Sequence, residues 1–174
     1  DRVIVVEVMG RDAGWIALQA GIAGGATAIV VPEVPFDIDE LSQIVRKRHD
    51  RGRYASVVVV AEGAKPKPNT MKIPERKLDA YGHEKLGDIA HAIAPEISAR
   101  TGFETRVVQL GYIQRGGTPT SYDRVLSTRF GLVAVDAAHD KKFGQMVVLK
   151  AGQIETADMS ITANQTRTID LKLF

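Results

Sequence analysis

The sequence predicts an α/β protein whose mostly parallel sheet carries helices on both faces. Strand-sized apolar runs alternate with segments of helical apolar spacing along most of the 174 residues, as in sheets built with crossover helices. Several runs are β-branched and nearly continuous, which is typical of strands buried on both faces. Hydrophobic residues make up 44% of the chain and supply a sizeable core.

The first half of the chain predicts three strands separated by helices. The apolar runs are residues 3–8, 28–31 and 56–60. The helix after the first run is expected over residues 13–24, where Asp12 is placed to cap it. One face of this helix carries three apolar residues, Ile16, Ala20 and Ala23. The next helix begins at Asp37, another residue of good capping type.

The second half continues the alternation after a proline-broken loop over residues 65–81, long enough to be functional or mobile. Apolar residues recur at helical spacing over residues 84–99, and Pro95 is expected to kink or split that helix. A strand beginning at Thr105 follows.

The last third predicts one long helix, from residue 121 or 122 to about residue 139. Its expected buried face is formed by five residues: Leu126, Phe130, Val133, Ala134 and Ala137. A strand over residues 145–150 follows, and the chain ends in a possible strand over residues 168–173.

Composition excludes several classes of function. The net charge of +2 argues against broad nucleic-acid binding, which draws its affinity from a basic excess. Without cysteine there is no disulfide scaffold, zinc-thiolate site or cysteine nucleophile, and a reducing cytoplasm is expected. The four histidines lack metal-ligand spacing and the apolar runs are too short to span a membrane. Asp1 and Arg2 lead straight into a strand, so we expect no signal peptide and a piece cut from a longer chain.

Polar groups follow three of the predicted strands. Residues 9–11 (MGR) follow the first, Glu62 the third, and Tyr112 with Arg115 the strand that begins at Thr105. Parallel strands end at one edge of the sheet, where open α/β folds bind ligands. Arginine suits phosphate and a carboxylate suits sugar hydroxyls, which favours a sugar-phosphate site. The alternative explanation for Arg115 is a tight turn with one solvated arginine. The alternative for Glu62 is a salt bridge to one of the arginines.

Arg2 and Arg106 are unusual because they belong to otherwise apolar strands. A strand arginine is costly to bury unless an anion meets it. Exposure at a sheet edge or a subunit contact is the alternative explanation for both residues.

These motifs carry a resemblance to the 6-phosphofructokinase family, specifically to its carboxyl-terminal half. The match runs in order from Arg2 to about Leu149, and its longest motif is LGYIQRGGTP at residues 110–119. The other matching segments are residues 6–11 (VEVMGR), 22–25 (IAGG), 31–33 (VPE), 61–63 (AEG) and 122–124 (YDR).

The resemblance implies binding of fructose 6-phosphate and transfer of a terminal phosphoryl group to its 1-hydroxyl. Arg11 is the expected catalytic residue, since the family arginine at this place steadies charge on the transferring group. Met9 and Gly10 would line the sugar site, and Glu62 would hold sugar hydroxyls. Arg115 would bind the 6-phosphate.

Further contacts to the 6-phosphate are implied as well. Tyr112 stands where many bacterial members have a phosphate-binding histidine, and its hydroxyl can still donate to phosphate without a positive charge. Arg2 and Arg106 would reach the 6-phosphate of a neighbouring subunit. Thr27 stands where regulated bacterial members carry an effector-site glutamate, which puts that type of regulation in doubt.

The resemblance also implies a division of labour. Residues 1–112 would form the substrate lobe, residues 113–150 would return to a nucleotide lobe, and residues 151–174 would form a carboxyl-terminal segment. The phosphate loop, the catalytic base and most of the site for Mg²⁺ with ATP or pyrophosphate would belong to the missing amino-terminal half. No metal ligand is expected here, and the isolated chain should be inactive. The whole enzyme would be a cytoplasmic, glycolytic dimer or tetramer.

Three alternatives remain open beside an ATP-dependent phosphofructokinase. The pyrophosphate-dependent enzyme shares nearly every motif, and a related sugar kinase is possible. A non-catalytic sugar-phosphate-binding module would keep Arg11, Glu62 and Arg115 without turnover.

Overall fold

The computed structural model describes residues 2–73, 78, 86–163 and 165–174. Two compact units divide the chain: unit 1 comprises Asp1–Arg115 and Arg167–Phe174, and unit 2 comprises Gly116–Thr166. The division into a substrate lobe, a returning segment and a carboxyl-terminal segment concerns function, and it stays a prediction. Within the described ranges, no helix combines the length and the apolar character needed to cross a membrane.

Unit 1 is built on a four-stranded, all-parallel sheet. The strands are β1 (Arg2–Val8), β2 (Ala28–Val30), β3 (Ala55–Ala61) and β4 (Glu104–Gln109). Their order across the sheet is β2-β3-β1-β4. The central strand β1 therefore pairs with β3 on one side and with β4 on the other, and all four strands end at the same edge.

Helices cover both faces of this sheet, which confirms the predicted fold class. The helices α2 (Ile38–Asp50) and α3 (Ile89–Thr101) share a core with the inward residues of β1 and β3, including Val5 and Val58. The helix α1 (Trp15–Ala23) packs on the opposite face, where Leu18 joins a smaller core. Helices on opposite faces mean that the connections after β1 and β3 leave the sheet in opposite directions.

Two predictions about α1 are wrong. Asp12 does not cap the helix; Gly14 occupies the N-cap position without a side-chain hydrogen bond. The buried positions are Ala17, Leu18 and Gly21, whereas the predicted face (Ile16, Ala20 and Ala23) is exposed. Every face of this helix carries apolar residues, so spacing alone could not identify the one that packs.

Pro95 does not split α3, which continues through it as one helix. The predicted start at residue 84 lies outside the described residues, and the described helix begins at Ile89. The strand expected over residues 168–173 is also absent, because this segment forms turns and irregular backbone.

Unit 2 contains α4 (Ser121–His139), β5 (Gln145–Lys150) and β6 (Gln153–Asp158). The two strands form an antiparallel hairpin, of which only β5 was predicted. A capping box between Thr120 and Asp123 begins the helix. No residue of α4 is fully buried; four of the five expected core residues are half-buried and Ala134 is exposed.

The carboxyl-terminal segment Arg167–Phe174 belongs to unit 1 because it packs beside α1. The indole Nε1 of Trp15 donates to the carbonyl oxygen of Arg167 at 2.7 Å, and the Arg167 guanidinium lies 5.4 Å from the ring centre. Ile169 is only 4% exposed. Its backbone N–H donates to Glu33 at 3.1 Å, and the same carboxylate accepts from Gly14 at 3.0 Å.

We expect Ile169→Ala to lower the free energy of unfolding of unit 1 by about 2–4 kcal/mol, because it leaves a cavity in a packed apolar cluster. Urea unfolding followed by the fluorescence of Trp15, the single tryptophan of the chain, measures the change. Ile161→Ala is the control, since Ile161 is 54% exposed. Equal urea midpoints for the two variants would show that the segment adds no stability.

Candidate functional site

A cavity of about 700 Å³ lies at the carboxyl edge of the sheet in unit 1. Adjacent strands whose connections leave toward opposite faces create a crevice at this place, as β1 and β3 do here. Five of the predicted site residues line the cavity: Met9, Arg11, Glu62, Tyr112 and Arg115. Gly10 lies between two of them, in the loop that follows β1.

Glu62 anchors the loop after β1. Its Oε1 accepts hydrogen bonds from the backbone N–H groups of Gly10 and Arg11, each at 3.2 Å. The next residue, Gly63, packs so closely that a Cβ atom there would lie 1.6 Å from the Arg11 carbonyl oxygen. Only glycine permits this approach, so the backbone that carries Arg11 is held on two sides.

Gln114 ties the other wall of the cavity to the same loop. It belongs to the 3₁₀-helix Gly111–Arg115 that follows β4. Its Oε1 accepts from Met9 N–H at 3.2 Å, and its Nε2 donates to the Gly111 carbonyl oxygen at 3.0 Å. The sequence interpretation quoted this glutamine within a motif but gave it no role.

Two exposed guanidinium groups provide the positive charge of the cavity. Arg11 lies 3.9 Å from Asp12, and both side chains are more than half exposed, so this pair is weak. Arg115 has no acidic partner among the residues that the structure describes. Tyr112 is 83% exposed, which leaves its hydroxyl available as a donor. The arrangement is suited to bind an anion through forked N–H donors.

Arg2 and Arg106 lie outside this cavity. Arg2 begins β1, roughly 20 Å along the strand from the loop that follows it. Both arginines pair with Glu104, Arg2 at 3.5 Å and Arg106 at 2.6 Å. Arg106, aided by Arg2, holds the pKa of Glu104 below its usual range. Their contact with the phosphate of a neighbouring subunit stays a prediction.

A second cavity, of about 520 Å³, lies beside α2. Four cationic side chains line it together with Thr27: Lys47, Arg48, Arg51 and Arg53. The cations make this cavity attractive to anions, so any test of phosphate binding must separate the two places. The effect of Thr27 on effector regulation stays a prediction.

The described residues do not fit a metal centre. None of their histidine, aspartate and glutamate side chains form a group of three or more that could hold a metal ion. The expected location of the Mg²⁺ site in another part of the enzyme therefore stays a prediction.

Comparison with known proteins identifies the family. The family model described as phosphofructokinase matches residues 1–138, most of the chain. The chain belongs to the phosphofructokinase family. The predicted resemblance is thereby confirmed, and the roles of the cavity residues stay predictions.

Relatives named for two different phosphoryl donors are about equally similar to the chain. The chain is 51% identical over 168 residues to ATP-dependent 6-phosphofructokinase 3 of Streptomyces coelicolor, covering 97% of this chain and 49% of the relative. It is 47% identical over 173 residues to a pyrophosphate–fructose 6-phosphate 1-phosphotransferase of the same organism, covering 99% and 50%. The chain thus spans about half the length of these relatives.

Solved structures agree with the fold. Phosphofructokinase from Saccharomyces cerevisiae superimposes with a TM-score of 0.74 at 34% identity, covering 92% of this chain and 20% of that one. The parallel sheet with helices on both faces is therefore a phosphofructokinase-like fold.

We expect Glu62→Ala to loosen the loop after β1, because Gly10 and Arg11 lose the acceptor of their N–H groups. Amide hydrogen exchange at these two residues, followed by NMR, should accelerate roughly 3- to 10-fold, the effect of one ordinary hydrogen bond. Glu62→Gln keeps a carbonyl oxygen and should stay near the wild type. The control is Glu155→Ala in unit 2. Unchanged exchange in Glu62→Ala would mean that other contacts hold the loop.

Proposed function

We propose that this chain is the fructose 6-phosphate-binding part of a 6-phosphofructokinase, which phosphorylates the 1-hydroxyl of that sugar. The observation that carries the proposal is the convergence of Met9, Arg11, Glu62, Tyr112 and Arg115 on one cavity. These residues come from three separate strand ends, and a family member would use them together on one ligand.

The chemistry of the cavity supports this assignment of roles. Arg115 and Tyr112 supply N–H and O–H donors for a phosphate, and a forked guanidinium suits its oxygens. Glu62 supplies a carboxylate for sugar hydroxyls, although its Oε1 is shared with the loop. Arg11 is held by its backbone and keeps an exposed head, which suits the stabilisation of charge on a transferring phosphoryl group.

The phosphoryl donor is either ATP or pyrophosphate. Relatives named for either donor are similarly close to the chain, so family membership does not favour one donor. We place the base, the donor site and the Mg²⁺ site in the half of the relatives' length that this chain does not span. Membership of the family is also the basis for proposing a glycolytic role, a cytoplasmic location and a homodimer or homotetramer.

Binding is tested by calorimetric titration of the chain with fructose 6-phosphate and with fructose. Arg115→Ala should reduce the binding free energy of fructose 6-phosphate by roughly 1.5–3 kcal/mol, the value of a hydrogen bond to a charged group. Arg51→Ala is the matched control, because it removes the same side chain from the second cavity. Equal affinity for fructose and fructose 6-phosphate, or a larger loss with Arg51→Ala, would contradict the assignment of the phosphate to this site.

Catalysis is tested by fructose 1,6-bisphosphate formation with ATP or pyrophosphate, each with magnesium. The isolated chain should give no turnover, since in-line transfer needs donor, acceptor and base together. Restoring the missing half should restore turnover, and Arg11→Ala in that enzyme should lower kcat more than it raises KM.

Two outcomes of this assay oppose the proposal. Sustained turnover by the isolated chain would mean that the base and donor site are misplaced. A restored enzyme that binds fructose 6-phosphate without turnover would favour a non-catalytic sugar-phosphate-binding module.

A further inference from the structure

Glu7 is a buried carboxylate that the proposed function does not use. Its side chain lies in the wall of the cavity and the residue is 3% exposed. Three N–H donors surround it: its Oε1 accepts from Asp88 at 3.1 Å and from Gln109 Nε2 at 2.9 Å, and its Oε2 accepts from Ala90 at 2.9 Å. Glu7 thus joins the beginning of α3 to the last residue of β4.

The bond to Glu7 fixes the orientation of the Gln109 side chain. A carboxylate accepts hydrogen bonds, so the amide nitrogen of Gln109 must face it. The amide oxygen then lies on the other side of the same planar group. Gln109 lines the cavity and is exposed. Among the described residues, no donor reaches its Oε1.

Resting on the proposed function, we infer that Gln109 is a specificity-determining residue that accepts a hydrogen bond from one hydroxyl of the sugar. Glu7 is its positioning residue. It holds the amide nitrogen away from the ligand and thereby presents the oxygen to it.

The chemistry of this position favours a hydroxyl. An amide oxygen repels phosphate and attracts a donor, whereas Arg11 and Arg115 provide the cationic contacts of the same cavity. A sugar phosphate offers both kinds of group. A neutral acceptor in a fixed orientation discriminates between molecules that differ by one hydroxyl, because the analogue without it leaves a polar group unpaired.

The test uses fructose 6-phosphate and its analogues deoxygenated at C1, C3 or C4, titrated into the wild-type chain and into Gln109→Leu. Leucine removes the acceptor at similar size, and the exposed position tolerates it. Fructose 6-phosphate should bind roughly 3- to 10-fold more weakly to the variant, the effect of one neutral hydrogen bond. One deoxy analogue should bind wild type and variant equally, since it already lacks the contacted hydroxyl.

Glu7→Gln tests the positioning role. A glutamine at residue 7 can place its amide nitrogen in two ways. The nitrogen faces the N–H of Ala90, or it faces the N–H of Asp88 and the Gln109 amide, which must then turn its own nitrogen toward the cavity. Glu7→Gln should weaken the same hydroxyl contact, because the Gln109 amide is no longer held in one orientation. Added to Gln109→Leu, it should cause no further change in the selectivity among the analogues. If Glu7 had a purely structural role, Glu7→Gln would instead lower the affinity for fructose 6-phosphate and for its three analogues by the same factor. Thermal melting shows whether each variant is folded.

Gln43→Leu is the matched control, because Gln43 is an exposed glutamine of α2. It should leave every affinity unchanged. Wild-type chain that fails to bind fructose 6-phosphate would overturn the proposed function itself. If the wild-type chain binds fructose 6-phosphate but Gln109→Leu loses the same affinity for every analogue, only the role of Gln109 is overturned.

Discussion

The parallel pairing of β1 with both β3 and β4 is the constraint on which the rest of unit 1 depends. It brings the loops after three strands to one edge, although those loops lie far apart in the chain. It also fixes which side of the sheet each β1 residue faces. A slip of one residue would turn Glu7 to the other face, and its bonds to Asp88, Ala90 and Gln109 would be lost. The geometry of the site therefore depends on the register of the strands.

The cavity combines a rigid frame with exposed charged groups. The frame is made of backbone: Glu62 accepts from two N–H groups of one loop, Gly63 packs against its carbonyl, and Gln114 joins it to the neighbouring loop. The heads of Arg11, Tyr112 and Arg115 remain exposed. Fixing the backbone in advance reduces the ordering cost of binding, while exposed heads keep their charges and donors available.

A glutamate carboxylate that is at least partly buried joins segments distant in sequence at three places. Glu33 links α1 to the carboxyl-terminal segment, Glu62 links β3 to the loop after β1, and Glu7 links β1 to α3. Each accepts from backbone N–H groups, the donors that helix beginnings and tight loops leave unsatisfied. In each case one side chain satisfies the hydrogen bonds of backbone N–H groups and also links two segments of the chain.

The sequence by itself determined the fold class, the order of strands and helices in unit 1, and the family. It also selected five residues that line the cavity, because strand ends and a long motif are local signals: Met9, Arg11, Glu62, Tyr112 and Arg115. Tertiary structure decided which face of α1 is buried, that residues 168–173 form no strand, and that Ile169 joins the core. It alone revealed that Glu7 and Gln109 line the cavity and that Gln114 joins two of the loops around it. Apolar spacing cannot choose among several apolar faces, and a lone glutamate or glutamine carries no signal until distant backbone donors surround it.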